Sequence, residues 1–536
     1  MRFVFLTGNM GAGKSCIGQM LADQLACPFY DTDALIEAAT GMRIAQLFAQ
    51  HGEPSFRQLE REQLQRLMRQ PPGIVATGGG TILDPHNRAL MRQHGWIIYL
   101  RARPETLIER IENPVSRPLL QTADTPLNAL RQIAQQREAL YQEADWVIET
   151  DILTPQQVVA QLRPLVAPTA ESPLSISSPH SAILLAPGIR RQLTAYLLKR
   201  IQPSRALVLT HPVLQSEGEQ LIHALQAHHV PAQLLITPAG EHRKTLRTAM
   251  RLYRMLLWAQ ADRQSVLIVL GGGMLGDLGG FIAATYMRGI PFVQIPTTLL
   301  AQVDASVGGK VAVDLPEGKN LIGAFHQPLL VLIDPELLCS LPARHWRNGL
   351  AEMLKYGITL NRGLWLRLQT MREQKVFFRR RVRKGSEEWL LPIARCVALK
   401  AQIVAQDERD EHGRRALLNF GHTVGHAIET ALGYRQWLHG EAVAAGMYAE
   451  AMLGRLLHIT PPELVDELEQ TLQAAGLPTR LPPLPAESLL NAMQHDKKRT
   501  GVELRLVLLR GIGQADLIGN IPSEAILEAL RRCGAQ

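Results

Sequence analysis

The 536-residue chain has no apolar run approaching the ~20 residues that a bilayer-spanning helix needs. A helical membrane anchor is therefore excluded within it. Its five cysteines, at 16, 27, 339, 396 and 533, form no CxxC pair. That excludes a disulfide framework and a cysteine-based zinc site, and reduced thiols are expected. Nothing marks a known nucleic-acid module, and there is no internal repeat. The opening residues, MRFVFLTGNMGAGKS, carry no cleavable signal, so a cytoplasmic protein is expected. The net charge of +8 suits acidic small molecules as well as nucleic acid. The densest basic run, FFRRRVRKG at 377–385, reads as a solvated surface segment. Neither a nucleic-acid nor a membrane partner is expected.

At roughly 100–200 residues per domain, the length suggests about three domains. RFVFLT (2–7), PFYDTD, GIVATGGG, WIIYLRA and DWVIET read as strands separated by helical stretches such as LADQLA. Such alternation predicts a parallel α/β layer over residues 1–162. Residues 163–181, rich in Pro, Ser, Ala and Thr, read as a linker. The α/β pattern restarts over 182–343 with SAILLAP, RALVLT, AQLLITP, SVLIVLGGG, FVQIPTT and LLVLIDP. From 344 to 536 long helical periods dominate, as in GLAEMLKYGI and EAVAAGMYAEAMLGRLL.

GNMGAGKS, residues 8–15, fits GxxxxGK[ST] between a predicted strand and helix. Its glycines let backbone N–H groups wrap a phosphate, Lys14 reaches the transferring phosphates, and Ser15 ligates Mg²⁺. The nucleotide-binding run is then Gly11, Ala12, Gly13, Lys14, Ser15 and Cys16. A P-loop does not name the acceptor. FYDTDALIE (29–37), GEPSFRQLE (52–60), TGGG (77–80), SRPLL (116–120) and REALYQEAD (137–145) follow in order. This ordered set resembles shikimate kinase over almost the whole first domain. Another small-molecule P-loop kinase, such as a gluconate kinase, would not be expected to share it. The resemblance implies that Asp31 helps hold Mg²⁺ and that Asp33 polarises the attacking 3-hydroxyl of shikimate. It implies that Arg57 and Arg137 grip the carboxylate, a task suited to guanidinium. Gly78, Gly79 and Gly80 would admit the ring to the backbone, and Arg117 would close over ATP. The bland alternatives are that Asp31 and Asp33 cap a helix and that Arg57 pairs with Glu60 along a surface helix.

LLNFGHTVGHAIE, residues 417–429, places His422 and His426 on one helix face. Two imidazoles four residues apart can hold one metal ion, or they can be helix histidines bonded to neighbours. Upstream, SVLIVLGGGMLGDLGGF (265–281) is a strand, a glycine turn and a helix, the arrangement that admits a dinucleotide pyrophosphate. Its GGGxxGD spacing matches the GxGxxG fingerprint weakly. YMRG (286–289), IPTTLLAQVDASVGGK (295–310), EGKNLIGAF (317–325), GLAEMLKYG (349–357), CVALKAQIVAQDERD (396–410) and LHGEAV (438–443) complete a series. From about residue 181 onward that series resembles 3-dehydroquinate synthase.

The chain thus resembles a fusion of the two families. A P-loop kinase domain, a parallel sheet with helices on both faces, is linked to a dehydroquinate-synthase fold. The latter comprises a Rossmann-like α/β NAD domain and a mostly helical metal-binding domain. The second resemblance implies a Zn²⁺ or Co²⁺ ion held by Glu352, His422 and His439, with His426 touching substrate instead. NAD contacts match Glu241, Lys244, Gly273, Gly276, Asp277, Thr297 and Thr298, with Lys310 and Lys319 nearby. The implied substrate is 3-deoxy-D-arabino-heptulosonate 7-phosphate, converted to 3-dehydroquinate with no net redox. Arg288, Asp304, Lys310, Lys319, Asn320 and Lys355 match substrate-contacting positions. So do Lys400, Arg415, Asn419, His426 and one of the pair Lys497 and Lys498. Most are cationic, which suits an anionic sugar phosphate. Of these, Asp304, Lys310, Lys355, Lys400 and His426 are the implied catalytic groups, as Lys14, Asp33 and Arg117 are in the kinase. A metal-dependent polyol dehydrogenase would not need so many cations. Val311, Asp314 and Val424 depart from common residues of the synthase pattern. The family commonly dimerises, so a homodimer through residues 181–536 is expected.

Overall fold

The structure is a computed structural model that describes residues 2–112, 118–120, 123–378, 387–408, 414–434, 436–498 and 504–536. Arg117 and residues 379–385 of the basic run lie outside them, and of Lys497 only its place in a helix is described. The chain forms two compact units: Met1–Ala167 with Arg362–Thr370, and Pro168–Asn361 with Met371–Gln536.

In the first unit the strands are β1 (Phe3–Thr7), β2 (Phe29–Asp31), β3 (Ile74–Ala76), β4 (Gly95–Arg101) and β5 (Trp146–Glu149). They form one parallel sheet in the order β2-β3-β1-β4-β5. β1 lies at its centre and every residue of it is buried, which is why FVFLT is apolar without alternation. Around the sheet run α1 (Lys14–Leu25), α2 (Thr32–Thr40), α3 (Ile44–Leu67), α4 (Pro85–His94), α5 (Pro104–Glu109), α6 (Pro126–Tyr141) and α7 (Pro155–Val166). α3 is interrupted at Gly52, whose φ of 76° is a left-handed value, and the helix that restarts there carries Arg57.

The second unit contains a seven-stranded sheet in the order β6-β7-β14-β11-β10-β8-β9. Its strands are β6 (Leu174–Ile176), β7 (Ala182–Leu185), β8 (Ala206–Thr210), β9 (Ala232–Ile236), β10 (Val266–Gly271), β11 (Phe292–Pro296) and β14 (Leu330–Ile333). A hairpin of β12 (Lys310–Leu315) and β13 (Gly318–Phe325) stands apart. The helices of this part are α8 (Leu193–Leu198), α9 (Gln215–Gln226), α10 (Leu246–Trp258) and α11 (Gly273–Thr285). There follow α12 (Ala343–Leu360), α13 (Arg362–Glu373), α14 (Leu390–Gln406), α15 (His422–Ala431), α16 (His439–Leu456), α17 (Pro462–Ala474), α18 (Ala486–Lys498) and α19 (Ser523–Arg532). One further hairpin pairs β15 (Leu506–Gly511) with β16 (Gln514–Ile518).

Within the expected linker 163–181, α7 runs to Val166 and β6 pairs antiparallel with β7. Leu174 and Ile176 are buried on either side of exposed Ser175, a period of two hidden by the Pro/Ser-rich composition. The segments on either side of residue 343/344 lie in one compact unit. α12 lies close to the sheet's connections: a Cβ on Gly349 would lie 2.4 Å from the backbone N of Leu300.

Candidate active sites

In the first unit the loop between β1 and α1 turns through left-handed Gly11 and Gly13, at φ 84° and 81°. A Cβ at Gly11 would sit 2.6 Å from the carbonyl oxygen of Leu107. The loop therefore presents backbone, not side chain, at the start of α1. Lys14 folds over it and donates from Nζ to the carbonyls of Gly8 and Asn9, at 2.8 and 3.0 Å. Ser15 Oγ donates to Asp31 Oδ2 at 2.5 Å, placing two Mg²⁺-type oxygens side by side. The other oxygen of Asp31 caps α2, accepting from the N–H groups of Asp33 and Ala34, so capping and site placement coexist.

Asp33, Arg57 and Arg137 converge on the glycine run 78–80. A Cβ on Gly78 would lie 2.9 Å from Asp33 Oδ1, and one on Gly80 2.3 Å from an Arg57 nitrogen. Arg137, buried on α6, donates to the carbonyl of Gly79 at 2.9 Å. Arg57 also pairs with Glu53 and Glu60, at 2.8 and 2.9 Å. Burial works against its charge, but both carboxylates outweigh that and raise its pKa. Surface pairing and site geometry are thus the same arrangement. Glu60, buried, also accepts from Thr81, and Thr32 Oγ1 accepts from the N–H of Gly78 at 2.9 Å. Sequence reasoning assigned no site role to Thr32 or Thr81, because neither belongs to a recognisable spacing.

The second unit encloses a cavity of about 1420 Å³. At one end is the N-terminus of α11, with Gly273, Asp277, Thr297 and Thr298 around it. Thr297 N–H donates to the Gly271 carbonyl, bringing the ends of β10 and β11 together. Lys244, almost wholly buried, reaches Asp277 at 2.7 Å and Asn320 at 2.5 Å. Burial opposes its charge, but Asp277, Glu241 and Asp314 raise its pKa. At the other end α12, α15 and α16 bring Glu352, His422 and His439 together. His422 Nε2 lies 3.4 Å, and His439 Nε2 3.7 Å, from Glu352 Oε1.

That spacing matches two ligands of a tetrahedral ion held at about 2.0–2.1 Å. The Glu352 carboxylate is wholly buried; Lys355 forms an ion pair with its Oε2, and His422 and His439 both face its Oε1. Burial and Lys355 push the His422 imidazole well below its ordinary pKa, leaving it neutral as metal ligation requires. Its Nδ1 lies 3.2 Å from the Phe420 carbonyl. His439 is pushed up to about 10: burial opposes the proton, but Glu352 and Glu429 outweigh it, so a divalent ion would bind there by displacing that proton. These residues fit a divalent ion. His426, one turn from His422, is exposed and forms a second candidate set with Glu429 and His439.

Between the two ends the cavity is lined by Lys310, Lys319, Lys355, Lys400, Arg415 and Asn419. Asp304 sits on a π-helical turn, Ala301–Ala305, a distortion frequent at functional sites. It accepts from Tyr356 at 2.5 Å and pairs with Lys400 at 2.7 Å. Burial works to raise its pKa, but Lys400 and Lys355 lower it on balance. Arg288 does not line this cavity. It is exposed on a turn where Met287 and Arg288 both take left-handed backbone conformations. Glu429 and Tyr356, which sequence reasoning passed over, are brought in by packing. Asp314, a departure from the common Asn, accepts from the N–H of Asn320 at 2.8 Å and so serves the β12–β13 turn.

Fold and sites define a two-enzyme chain, a P-loop kinase unit joined to an α/β enzyme built around a carboxylate–histidine cluster. Residues 10–166 match the family model for shikimate kinase. Residues 234–348 and 349–499 match the N-terminal and C-terminal models of 3-dehydroquinate synthase. The 3-dehydroquinate synthase of Synechococcus sp. is 44% identical over 61% of this chain and 88% of its own length. That of Nitrosomonas europaea is 44% identical over 63% and 90%. The solved 2-epi-5-epi-valiolone synthase from Streptomyces hygroscopicus, with NAD⁺ and Zn²⁺ bound, is 28% identical with a TM-score of 0.60. It covers 67% of this chain and 98% of its own. The chain belongs to the 3-dehydroquinate synthase family, with a shikimate kinase domain fused ahead of it. It is accordingly a bifunctional shikimate-pathway enzyme acting on small-molecule substrates. No described helix is long and apolar enough to cross a membrane.

Proposed function

We propose that the cavity of the second unit is the synthase site, with Glu352, His422 and His439 holding Zn²⁺ or Co²⁺. One observation carries this reading: a single cavity is lined by the glycine turn of α11, by His422 and His439 in front of the buried Glu352 carboxylate, and by a ring of cations. When bound, NAD supplies hydride acceptance and return, and the metal supplies Lewis-acid polarisation of substrate hydroxyls. Gly273, Gly276 and the α11 N-terminus hold the dinucleotide, aided by Asp277, Lys244, Thr297 and Thr298. Lys310, Lys319, Lys355, Lys400 and Arg415 neutralise the phosphate and carboxylate of the heptulosonate phosphate. The Asp304–Lys400–Tyr356 cluster holds protons at defined atoms beside the substrate. In the kinase unit, Ser15 and Asp31 hold Mg²⁺ with ATP on the loop Gly11–Cys16. Arg57 and Arg137 grip the shikimate carboxylate, and Asp33 accepts from the attacking hydroxyl. The enzyme works in the cytoplasm.

Paired assays on one chelator-stripped sample resupplied only with Mg²⁺ test this reading. ADP formation from shikimate should survive. Phosphate release from the heptulosonate phosphate with NAD⁺ should stop and return with Zn²⁺ or Co²⁺. A synthase still active after proven metal removal would sink the metal assignment.

The synthase unit is also proposed to form a homodimer. On α10, Met250, Leu257 and Trp258 are 54%, 59% and 79% exposed among exposed Arg247, Arg251 and Arg254, a mixed apolar and basic face that an interface would cover. Light scattering should give twice the chain mass, and Trp258→Glu should halve it.

A further inference from the structure

The first unit contains a helix segment that the shikimate kinase family model does not include. Arg362–Thr370, the first nine residues of α13, clusters with Met1–Ala167. By sequence it lies inside the stretch matched to the synthase C-terminal model.

The segment is a fitted part of that unit, not a surface contact. Arg367 is 1% exposed. Its Nε and Nη2 donate to the two oxygens of Asp145 at 2.7 and 2.6 Å, a bidentate fork. The guanidinium also donates to the carbonyls of Arg92 and Gly95 and stacks 4.7 Å over the Trp96 ring. Each of the three guanidinium nitrogens thereby donates at least one hydrogen bond, as a buried cation demands. One turn earlier, Arg362 Nε donates to Glu143 Oε1 at 3.1 Å. Between them Gly363 lets the helix backbone press on the turn 143–145: a Cβ there would lie 2.4 Å from the Ala144 carbonyl oxygen. Leu364, Trp365 and Leu368 are buried as well.

The turn they meet joins α6 to β5. Asp145 Oδ2 also accepts from the N–H of Ile97 in β4, and Glu143 pairs with Arg88 and Arg92 of α4. Tyr141, two residues before Glu143, donates to the Gly79 carbonyl. Residues 1–167 alone leave the buried Asp145 carboxylate without the arginine that forms its ion pair.

We infer that residues 362–370 are a constituent of the kinase unit, seated on the 143–145 turn through Arg367 and Gly363. The kinase unit is therefore completed by a segment from far along the chain. This inference is independent of the roles assigned to either active site.

Hydrogen exchange of the full chain tests it, since the readout needs neither activity. Arg367→Met strands the buried Asp145. Gly363→Ala keeps every charge and only wedges the helix off the turn. Both should speed amide exchange at 95–99 and 141–149 by about tenfold or more. The strand 266–271 should be unchanged. Unchanged exchange at 141–149 in Gly363→Ala overturns the inference whatever Arg367→Met does. An increase spread evenly over 168–361 overturns it too.

Discussion

Glu429 Oε2 lies 3.4 Å from Nδ1 of His439, while its Oε1 lies 3.0 Å from Nζ of Lys319. A single buried carboxylate thus orients an imidazole whose Nε2 faces Glu352 and fixes a cation of the same cavity. Lys319 is also held 4.6 Å over the Tyr434 ring. Carboxylates behind metal-binding histidines set ring orientation and basicity. Glu429→Gln should weaken Co²⁺ binding by roughly ten- to hundredfold. The visible Co²⁺ spectrum should keep its shape, because the ligands are unchanged. The kinase rate of the same sample serves as a control for folding. An altered spectrum would make Glu429 a ligand itself.

The two histidines of HTVGH should separate in function. His422→Ala should abolish stoichiometric metal retention after dialysis. His426→Ala should retain the ion and lose phosphate release. Metal content by mass spectrometry distinguishes the two. Loss of metal in His426→Ala alone would favour the His426–Glu429–His439 set.

In the kinase unit, Arg57→Ala should raise the KM for shikimate roughly ten- to hundredfold, the worth of charge-assisted hydrogen bonds. The KM for ATP should hardly change, because Arg57 faces Gly80 and not the P-loop. Equal changes in both constants would argue for a general loss of structure. Arg57→Lys should recover little, since an ammonium cannot reproduce the fork shared among Glu53, Glu60 and a carboxylate ligand.

Gly446→Ala should destabilise the second unit by about 1–3 kcal/mol, the usual cost of overpacking. The added Cβ would lie 2.1 Å from the Gly421 carbonyl oxygen, where α16 crosses the start of α15. Gly421 immediately precedes His422, so Co²⁺ affinity should fall with thermal stability. A stable variant with normal Co²⁺ affinity would show that the α15–α16 approach does not position the ligands.

Local features were readable before folding was considered. β1, β8, β10 and β11 are short apolar runs because both their faces are covered, and such runs need no partner to be recognised. The P-loop is similarly local: glycines and Lys14 act on backbone within a few residues of themselves. β6 escaped notice because three residues of alternation are weak against a Pro/Ser background. Arg288 was assigned by motif alone, and its place on an exposed left-handed turn is not legible in that motif.

The alternation of strand and helix, the phosphate loop and the helix face shared by His422 and His426 are legible in the chain before it folds. These follow from backbone periodicity and from the conformational freedom of glycine. Only tertiary structure decided that His422 meets Glu352 of α12 and His439 of α16, that Glu429 stands behind His439, and that Arg367 is seated against Asp145. Each of those contacts joins residues on different elements. Their distances depend on how closely helices and turns can approach, which no spacing along one helix contains.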